Sequence, residues 1–429
     1  MIELAKRVMD RCDELALHTE EPGRITRRFL TPPMRSVHRL IGQWMRELGM
    51  TIRVDAAGNL IGRRHAGPRL QADRRRDFRD SSAGPLREKK RVLLFGSHLD
   101  TVPNAGKYDG ILGVMLGLAV VERLGQTPLP FDIDVIGFSE EEGVRYATPY
   151  LGSRAVAGTF DTTWFGLYDD SAITMRQAIA AFGLDPDAIG LAAYEPASVI
   201  GFIEPHIEQG PVLERAGVAV GVVTRIVGQS RLVVHFRGEA GHAGTTPMIP
   251  RKDALVPAAR LVAAVQEIGH RNDGLRATVG RLVVLPNASN VIPADVDVSL
   301  DIRHASDTVR LAVVDELIRV GTSLAADGNV QFSVTQRNHT ESVEVSPRLT
   351  GILKNAVAGL GFDPLEMVSG AGHDAVVMAA RFPVSMLFLR HPGGISHHPD
   401  ERVDVDDVGV AIAVLESFIH KLSSEEPEP

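Results

Sequence analysis

The chain has 429 residues, 44% of them hydrophobic and 23% charged, with a net charge of −8. That length exceeds one ordinary domain and points to two. The negative balance argues against a general nucleic-acid surface, no apolar run reaches the ~20 residues of a membrane helix, and the single cysteine, Cys12, excludes an intrachain disulfide and fits a reducing compartment. The opening MIELAKRVMDRCDEL carries charges where a signal peptide needs an apolar run, so the reading is a cytoplasmic protein with neither nucleic acid nor membrane as partner.

Apolar spacing predicts helices over residues 3–17, with Cys12 on a buried face beside Leu4, Val8 and Leu15, and over residues 34–48. TEEPGRITRRFLTPP between them reads as loop. MTIRVDAAGNLIGRR reads as a hairpin turned near Ala57 and Gly58. Residues 66–90 are polar, with two prolines and basic clusters at 74–76 and 89–91, and predict a surface excursion, either solvated or a contact for an anion or a partner. An apolar strand, RVLLFGSH, then delivers His98 to its carboxyl end. Asp100 follows, and Asp109 heads an apolar helix, ILGVMLGLAVVERLG. In FDIDVIGFSEEEG, Phe131, Ile133 and Val135 alternate with Asp132 and Asp134, and the strand ends in Glu140, Glu141 and Glu142. YLGSRAVAG and PDAIGLAAY add helix, and GFIEPHIEQGPVLE is a third strand end with His206, Glu208 and Gln209. Alternating strands and helices predict an α/β layered sheet.

The pattern changes after about Val212. SRLVVHFRG, a long amphipathic helix, two strands, a second helix and NVQFSVTQ spell βαββαβ, the ferredoxin-like arrangement. This predicts a domain inserted at 212–340 between two parts of the first, 1–211 and 341–429. The first domain resumes with the helix SPRLTGILKNAVAGLG, the strands PLEMV and PVSMLFLRH, the histidine-rich loop GGISHHPDE and a closing helix, while the tail SSEEPEP reads as disordered.

Open α/β sheets place ligand sites at the carboxyl ends of strands. A His and two Asp there suggest a metal site, with His98 and Asp109 as ligands and Asp100 supporting His98. Divalent metals take His and carboxylate ligands, and the strand-end candidates are His98, Asp109, the three glutamates, His206 and the pair His397 and His398. Competing readings stand beside each. His98 also suits a hydrogen-bonded core histidine. The glutamates also suit a solvated helix start, and if the strand runs on, Glu140 and Glu142 share a face and Glu141 points away. Gln209 also suits a cap before Gly210, Arg303 a surface ion pair and His242 a turn residue between glycines. His373 and Asp374 support the site from outside or cap the next helix.

GSHLDTVPNAGKYDGILG, SEEEGVRY, EPHIEQGPVLE, GEAGHAGTTPM, NVIPADVDVSLDIR, SGAGHDA and GISHHPDE cover most of the chain. Together they resemble the dinuclear-metal amidohydrolases related to aminoacylases and carboxypeptidases, and among these the N-carbamoyl-L-amino acid hydrolase and allantoate amidohydrolase branch. The resemblance implies a mixed-sheet, zinc-peptidase-like catalytic domain with an inserted ferredoxin-like dimerisation and lid domain. It implies two divalent ions per subunit, zinc or else manganese or cobalt. One would be held by His98, Asp109 and His206, the other by Asp109, Glu142 and His397, with Asp109 bridging. It makes Asp100 the carboxylate that fixes the tautomer of His98 and Glu141 the general base. It makes Gln209, Asn290 and Arg303 substrate contacts, and His242 a lid histidine reaching the other subunit of a homodimer. The small residues from Ser369 to Gly372, Gly370 and Ala371 among them, let a backbone approach a ligand closely and are read as facing the substrate. The implied reaction is cleavage of a linear ureido amide beside a carboxylate, releasing ammonia and carbon dioxide. The alternatives are an aminoacylase or dipeptidase with the same metals and a non-catalytic binding protein. The excursion at 66–90 is longer than the resemblance leads one to expect.

Overall fold

A computed structural model describes residues 1–67 and 91–426. Most of the excursion over 66–90 therefore lies outside the described residues. The chain divides into two compact units, one of Met1–Thr224, Val345–Met367 and the chain from Gly372, the other of Arg225–Glu344 and Val368–Ala371.

The first unit begins with helices α1 (Ile2–Ala16) and α2 (Pro32–Glu47) and the hairpin β1 (Thr51–Val54) and β2 (Leu60–Arg64). A proline in the first turn of α2 fits because no amide there has a helical partner. The buried stripe of α1 is Leu4, Ala5, Val8, Cys12 and Leu15, as the apolar spacing predicts. Then come β3 (Val92–His98), α3 (Ile111–Leu124), β4 (Asp132–Phe138), α4 (Leu151–Val156), α5 (Met175–Ala181), β5 (Val199–Ile207), α6 (Val212–Ala216) and β6 (Val220–Ile226). Helix α3 is apolar on nearly every side, the composition of a fully buried helix, and it packs on β3, β4, β5 and α1. PDAIGLAAY forms a 3-10 turn over Pro186–Ala192 rather than an α-helix.

The second unit holds β7 (Gly228–Arg237), β8 (Gly241–His242), α7 (Leu255–Arg271), β9 (Arg276–Leu285), β10 (Val291–Ile292), β11 (Asp295–His304), α8 (Asp307–Asp327), β12 (Gln331–Thr340) and β13 (Val343–Glu344). Its four-stranded sheet runs β12-β7-β11-β9, antiparallel throughout, the βαββαβ order. Period-two alternation in β11 turns Val296, Val298, Leu300 and Ile302 into the core shared with α7 and α8.

The first unit resumes with α9 (Pro347–Gly359), β14 (Glu366–Ser369), α10 (Asp374–Met378), β15 (Val384–Leu389) and α11 (Val405–Glu425). Its large sheet runs β1-β2-β4-β3-β5-β15-β6. The central four strands, β4, β3, β5 and β15, are parallel, and β2 and β6 flank them antiparallel. All seven residues of β4 are buried, so its Asp132 and Asp134 face no solvent. Asp134 instead accepts the guanidinium of Arg63 at 2.6 and 2.7 Å.

The boundaries differ from the sequence reading at four places. The second unit runs on to Glu344 rather than 340, and it takes in Val368–Ala371. Residues 212–224 belong to the first unit, because β6 joins its sheet beside β15, with Val220 opposite Leu389 and Val223 opposite Met386. The last turn of α11 reaches Glu425, so the start of the tail is helical, and Arg348 pairs with Glu426 just beyond it at 2.8 Å.

Candidate metal centre

The parallel strands β3, β4, β5 and β15 end on one edge of the sheet, and the site is built there. His98 is the last residue of β3 and His206 the last but one of β5. The turn after β4 supplies Glu141 and Glu142, and the loop after β15 supplies His397. Asp109 sits where Gly110, at φ +69°, turns the chain into α3; a Cβ on Gly110 would stand 2.5 Å from the His98 ring, so glycine is required twice over.

Asp109 is the centre of the arrangement. Its Oδ1 lies 3.3 Å from His206 Nε2 and 3.7 Å from His98 Nε2, and its Oδ2 lies 3.3 Å from His397 Nε2. His397 Nε2 also stands 3.5 Å from Glu142 Oε1, and the two Nε2 atoms of His98 and His206 are 3.5 Å apart. Two atoms each about 2.1 Å from a tetrahedral ion stand about 3.4 Å from one another, and these separations gather around that value. His98, Asp109 and His206 form one group able to hold a metal ion, Asp109, Glu142 and His397 another, and His98, Glu141 and Glu142 a third.

The charge balance fits the same conclusion. Burial pushes Glu141 well above the usual carboxylate range, and the neighbouring Glu142 adds to it. Burial raises Glu142 to about 7, with Asp109 next in effect. Burial likewise raises Glu140 and Asp374, and lifts Glu204 to about 7 and Glu401 to about 8. Asp109 moves the other way: burial opposes its ionisation, but hydrogen bonds to His397 and His98 hold it well below the usual range. Burial opposes the charge on His98 too, yet Asp100 and Asp109 raise it well above its usual value. Burial lowers His206 to about 4. The cluster holds more carboxylates than its imidazoles can neutralise, an imbalance that bound cations would relieve.

Asp100 supports the site by two routes. Its carbonyl oxygen faces His98 Nδ1 at 3.0 Å, with its Oδ1 at 3.4 Å. Its carboxylate accepts the main-chain amides of Glu141 at 2.9 Å and Glu142 at 3.1 Å. The three glutamates start no helix, and β4 ends at Phe138 before reaching them. Glu140 turns inward and accepts the amide of Gly143. Gln209 does not cap a helix: its Nε2 donates to both Asp109 oxygens at 3.2 Å and to Ser396 Oγ at 3.0 Å. His398 turns away from the cluster and accepts the amide of Asp400 at 3.2 Å. His373 packs edge-on against His206, ring centres 4.5 Å apart, and neither its side chain nor that of Asp374 caps α10.

The remaining candidates lie in the second unit. His242 pairs with Val291 across β8 and β10, and its Nδ1 accepts the amides of Gly244 and Thr245 at 3.1 and 3.2 Å, which leaves Nε2 as the protonated nitrogen. Asn290 joins the same turn by accepting the Ala243 amide at 2.9 Å. Arg303 forks onto Asp301 at 2.9 and 3.0 Å and donates to the carbonyl of Gly370 at 2.9 Å. Ala371 is held by Ser369, whose Oγ accepts its amide at 3.2 Å.

A family model, peptidase family M20/M25/M40, matches residues 94–421. The chain belongs to this M20/M25/M40 family. Members of the family are metal-dependent hydrolases. The chain is 36% identical to a probable allantoate deiminase of Oryza sativa subsp. japonica over 95% of this chain and 88% of that protein. It is 35% identical to an N-carbamoyl-L-amino acid amidohydrolase of Geobacillus stearothermophilus over 98% of this chain and 99% of that protein. A solved structure of a hydantoinase/carbamoylase family amidase from Burkholderia multivorans aligns with a TM-score of 0.86 at 31% identity, covering 99% of this chain and 98% of that one.

Two contributors to this M20/M25/M40 site escape a reading of strand ends. Arg27, 1% exposed, donates through Nε to Leu99 O at 2.7 Å and through Nη1 to Leu15 O and His18 O, and so fixes the turn that carries Asp100. Glu204, inside β5, accepts the Ser97 hydroxyl at 3.3 Å and the Ala375 amide at 2.8 Å, tying β3 to α10. A lone glutamate in the apolar run GFIEPHI is the one signal of the second; nothing local marks the first.

Proposed function

We propose that this chain is a dinuclear-metal amidohydrolase that cleaves the linear ureido amide of an N-carbamoyl-L-amino acid or of allantoate. The observation that carries the reading is the division of Asp109: one carboxylate oxygen faces His98 and His206, the other faces His397 beside Glu142. A carboxylate shared in this way is the natural bridge between two ions. The ions, zinc or else manganese or cobalt, would lower the proton affinity of a bound water and polarise the ureido carbonyl. Glu141 takes the proton of the attacking water and passes it to the leaving nitrogen. With R–NH–CO–NH2 as substrate, one water is consumed and the free amine, ammonia and carbon dioxide leave.

The inserted unit is read as dimerisation surface and lid of a homodimer. Arg303, whose Nε and Nη2 are engaged by Asp301, is assigned to the substrate carboxylate, with Asn290, Gly370 and Ala371 beside it in role, and His242 offers an N–H to the developing oxyanion of the partner's substrate. Gln209 contacts the carbamoyl end. The buried thiol of Cys12 suits the reducing cytoplasm.

The test is ammonia release by metal-stripped protein reconstituted with Zn²⁺, Mn²⁺ or Co²⁺. The panel holds several N-carbamoyl-L-amino acids, carbamoyl-β-alanine and allantoate, with an N-acetyl amino acid scored for free amine. Metal-dependent ammonia from a ureido substrate supports the reading and names the substrate. Amine from the acetyl compound alone moves the chain to the aminoacylases, and no product from any compound with two metals bound rejects catalysis.

A further inference from the structure

The loop after β15 carries two side chains toward Asp109, and His397 is only one of them. Four residues on, Glu401 is 3% exposed, and its Oε1 accepts two converging main-chain amides, Tyr108 at 2.8 Å and Asp109 at 2.9 Å. Its Oε2 is buried and has no hydrogen-bond partner among the described residues. Space is kept for it at Gly106, where a Cβ would fall 2.3 Å from Glu401 Cβ and 2.5 Å from its carboxyl atoms. The turn itself is closed by the Glu401 amide on His398 O at 3.1 Å, so His397 and Glu401 are presented by one rigid piece of chain.

We propose that Glu401 is a positioning residue for the bridging carboxylate: by gripping the Tyr108 and Asp109 amides it sets the main chain from which Asp109 aims one oxygen at each ligand group. The chemistry supports this directly. Asp109 can serve two groups only if its Cα is fixed, because a short side chain has little reach with which to correct a displaced backbone. An oxygen accepting two amides at once defines both the position and the tilt of that peptide. The same grip locks the His397 loop to Asp109, so a ligand near the end of the chain is placed relative to one near its beginning. The inference rests on the dinuclear reading above.

Two substitutions separate reach from ionisation. Glu401→Gln keeps a side-chain oxygen at the same distance and removes the ionisable group; Glu401→Asp keeps the carboxyl group and withdraws its oxygens by about one C–C bond, roughly 1.5 Å. Metal affinity is measured on stripped protein by competition with a chromogenic chelator, alongside kcat, KM and the melting temperature of the metal-free form. Glu401→Gln is expected to match the parent within about threefold in affinity and kcat. Glu401→Asp is expected to lose on the order of 10–100-fold in affinity for both ions, the usual effect of removing an outer support, with kcat reduced and KM little changed. Equal affinity in Glu401→Asp and the parent overturns the proposal. So does a loss confined to one ion, which would mean that Glu401 anchors only the His397 loop. A lower melting temperature with unchanged affinity would make it a stability residue alone. A parent that binds no ions sinks the dinuclear reading instead, which keeps the two failures distinct.

Discussion

The main-chain amide of Glu141 donates to Asp100 Oδ1 at 2.9 Å, and this bond joins the turn after β4 to the turn after β3. Because the other oxygen of Asp100 takes the Glu142 amide and its carbonyl faces His98 Nδ1, one residue orients three side chains of the site. Asp100→Asn replaces one of the two acceptor oxygens with a donor that faces an amide. We expect metal affinity and kcat to fall on the order of 10–100-fold, as for other outer supports of metal ligands. Chelator competition and steady-state kinetics on the same preparation check this.

Glu141 lies outside the two groups that share Asp109, one of which includes its neighbour Glu142. Glu141→Gln should therefore keep both ions while turnover falls by roughly 10²–10⁴-fold, the range of a lost general base. Metal analysis of the dialysed variant, set beside its ammonia release, reads both outcomes. Full activity would remove Glu141 from the mechanism.

Arg27 contributes through carbonyl groups rather than through a carboxylate. Arg27→Met leaves Leu15 O, His18 O and Leu99 O without this donor. Buried acceptors stripped of a charged donor cost about 2 kcal/mol or more. Urea unfolding of the metal-free protein should show that loss. Restored metal should recover only part of it, because the Asp100 turn is displaced as well.

His38 sets a pH dependence of its own, outside the groups around Asp109. It lies in α2 with its ring edge-on to Phe182, and burial, followed by the charge of Arg35, lowers it from 6.5 to about 4. Between these values the unfolded chain binds a proton that the folded chain refuses, so stability is intact above pH 6.5 and is lost as the pH falls toward 4. The ceiling is about 3 kcal/mol for a shift of this size. His38→Gln should flatten that part of the stability profile, measured by denaturant midpoints from pH 4 to 7; an unchanged slope would show that His38 is not its source.

How much of this was legible depended on how local the cause was. Strand β3 and helix α3 were legible because their apolar runs are continuous, and His98 and Asp109 follow from where those runs stop. The choice between His397 and His398 was not. It is made by a left-handed backbone at His397, φ +55°, and by the Asp400 amide that holds His398 in its own turn. Alternation marks β4 as a strand, but it does not show that Asp134 is buried on Arg63, since a partner 71 positions away leaves no mark on the alternation. The unit boundary was read thirteen residues early, at 212 rather than 225, because β6 finds its neighbour β15 only after the whole inserted unit has passed. Glu401 was hidden for a similar reason: its partners are amides 292 and 293 positions away, and amides have no sequence.

The strand order has a consequence for how the protein is made. Strand β15, which leads into His397, fits between β5 and β6, both of which precede the inserted unit. A chain emerging from the ribosome thus offers His98, Asp109, Glu141, Glu142 and His206 well before β15 and His397 are made. The group of Asp109, Glu142 and His397 is therefore the last to be completed, after the whole inserted unit has been translated.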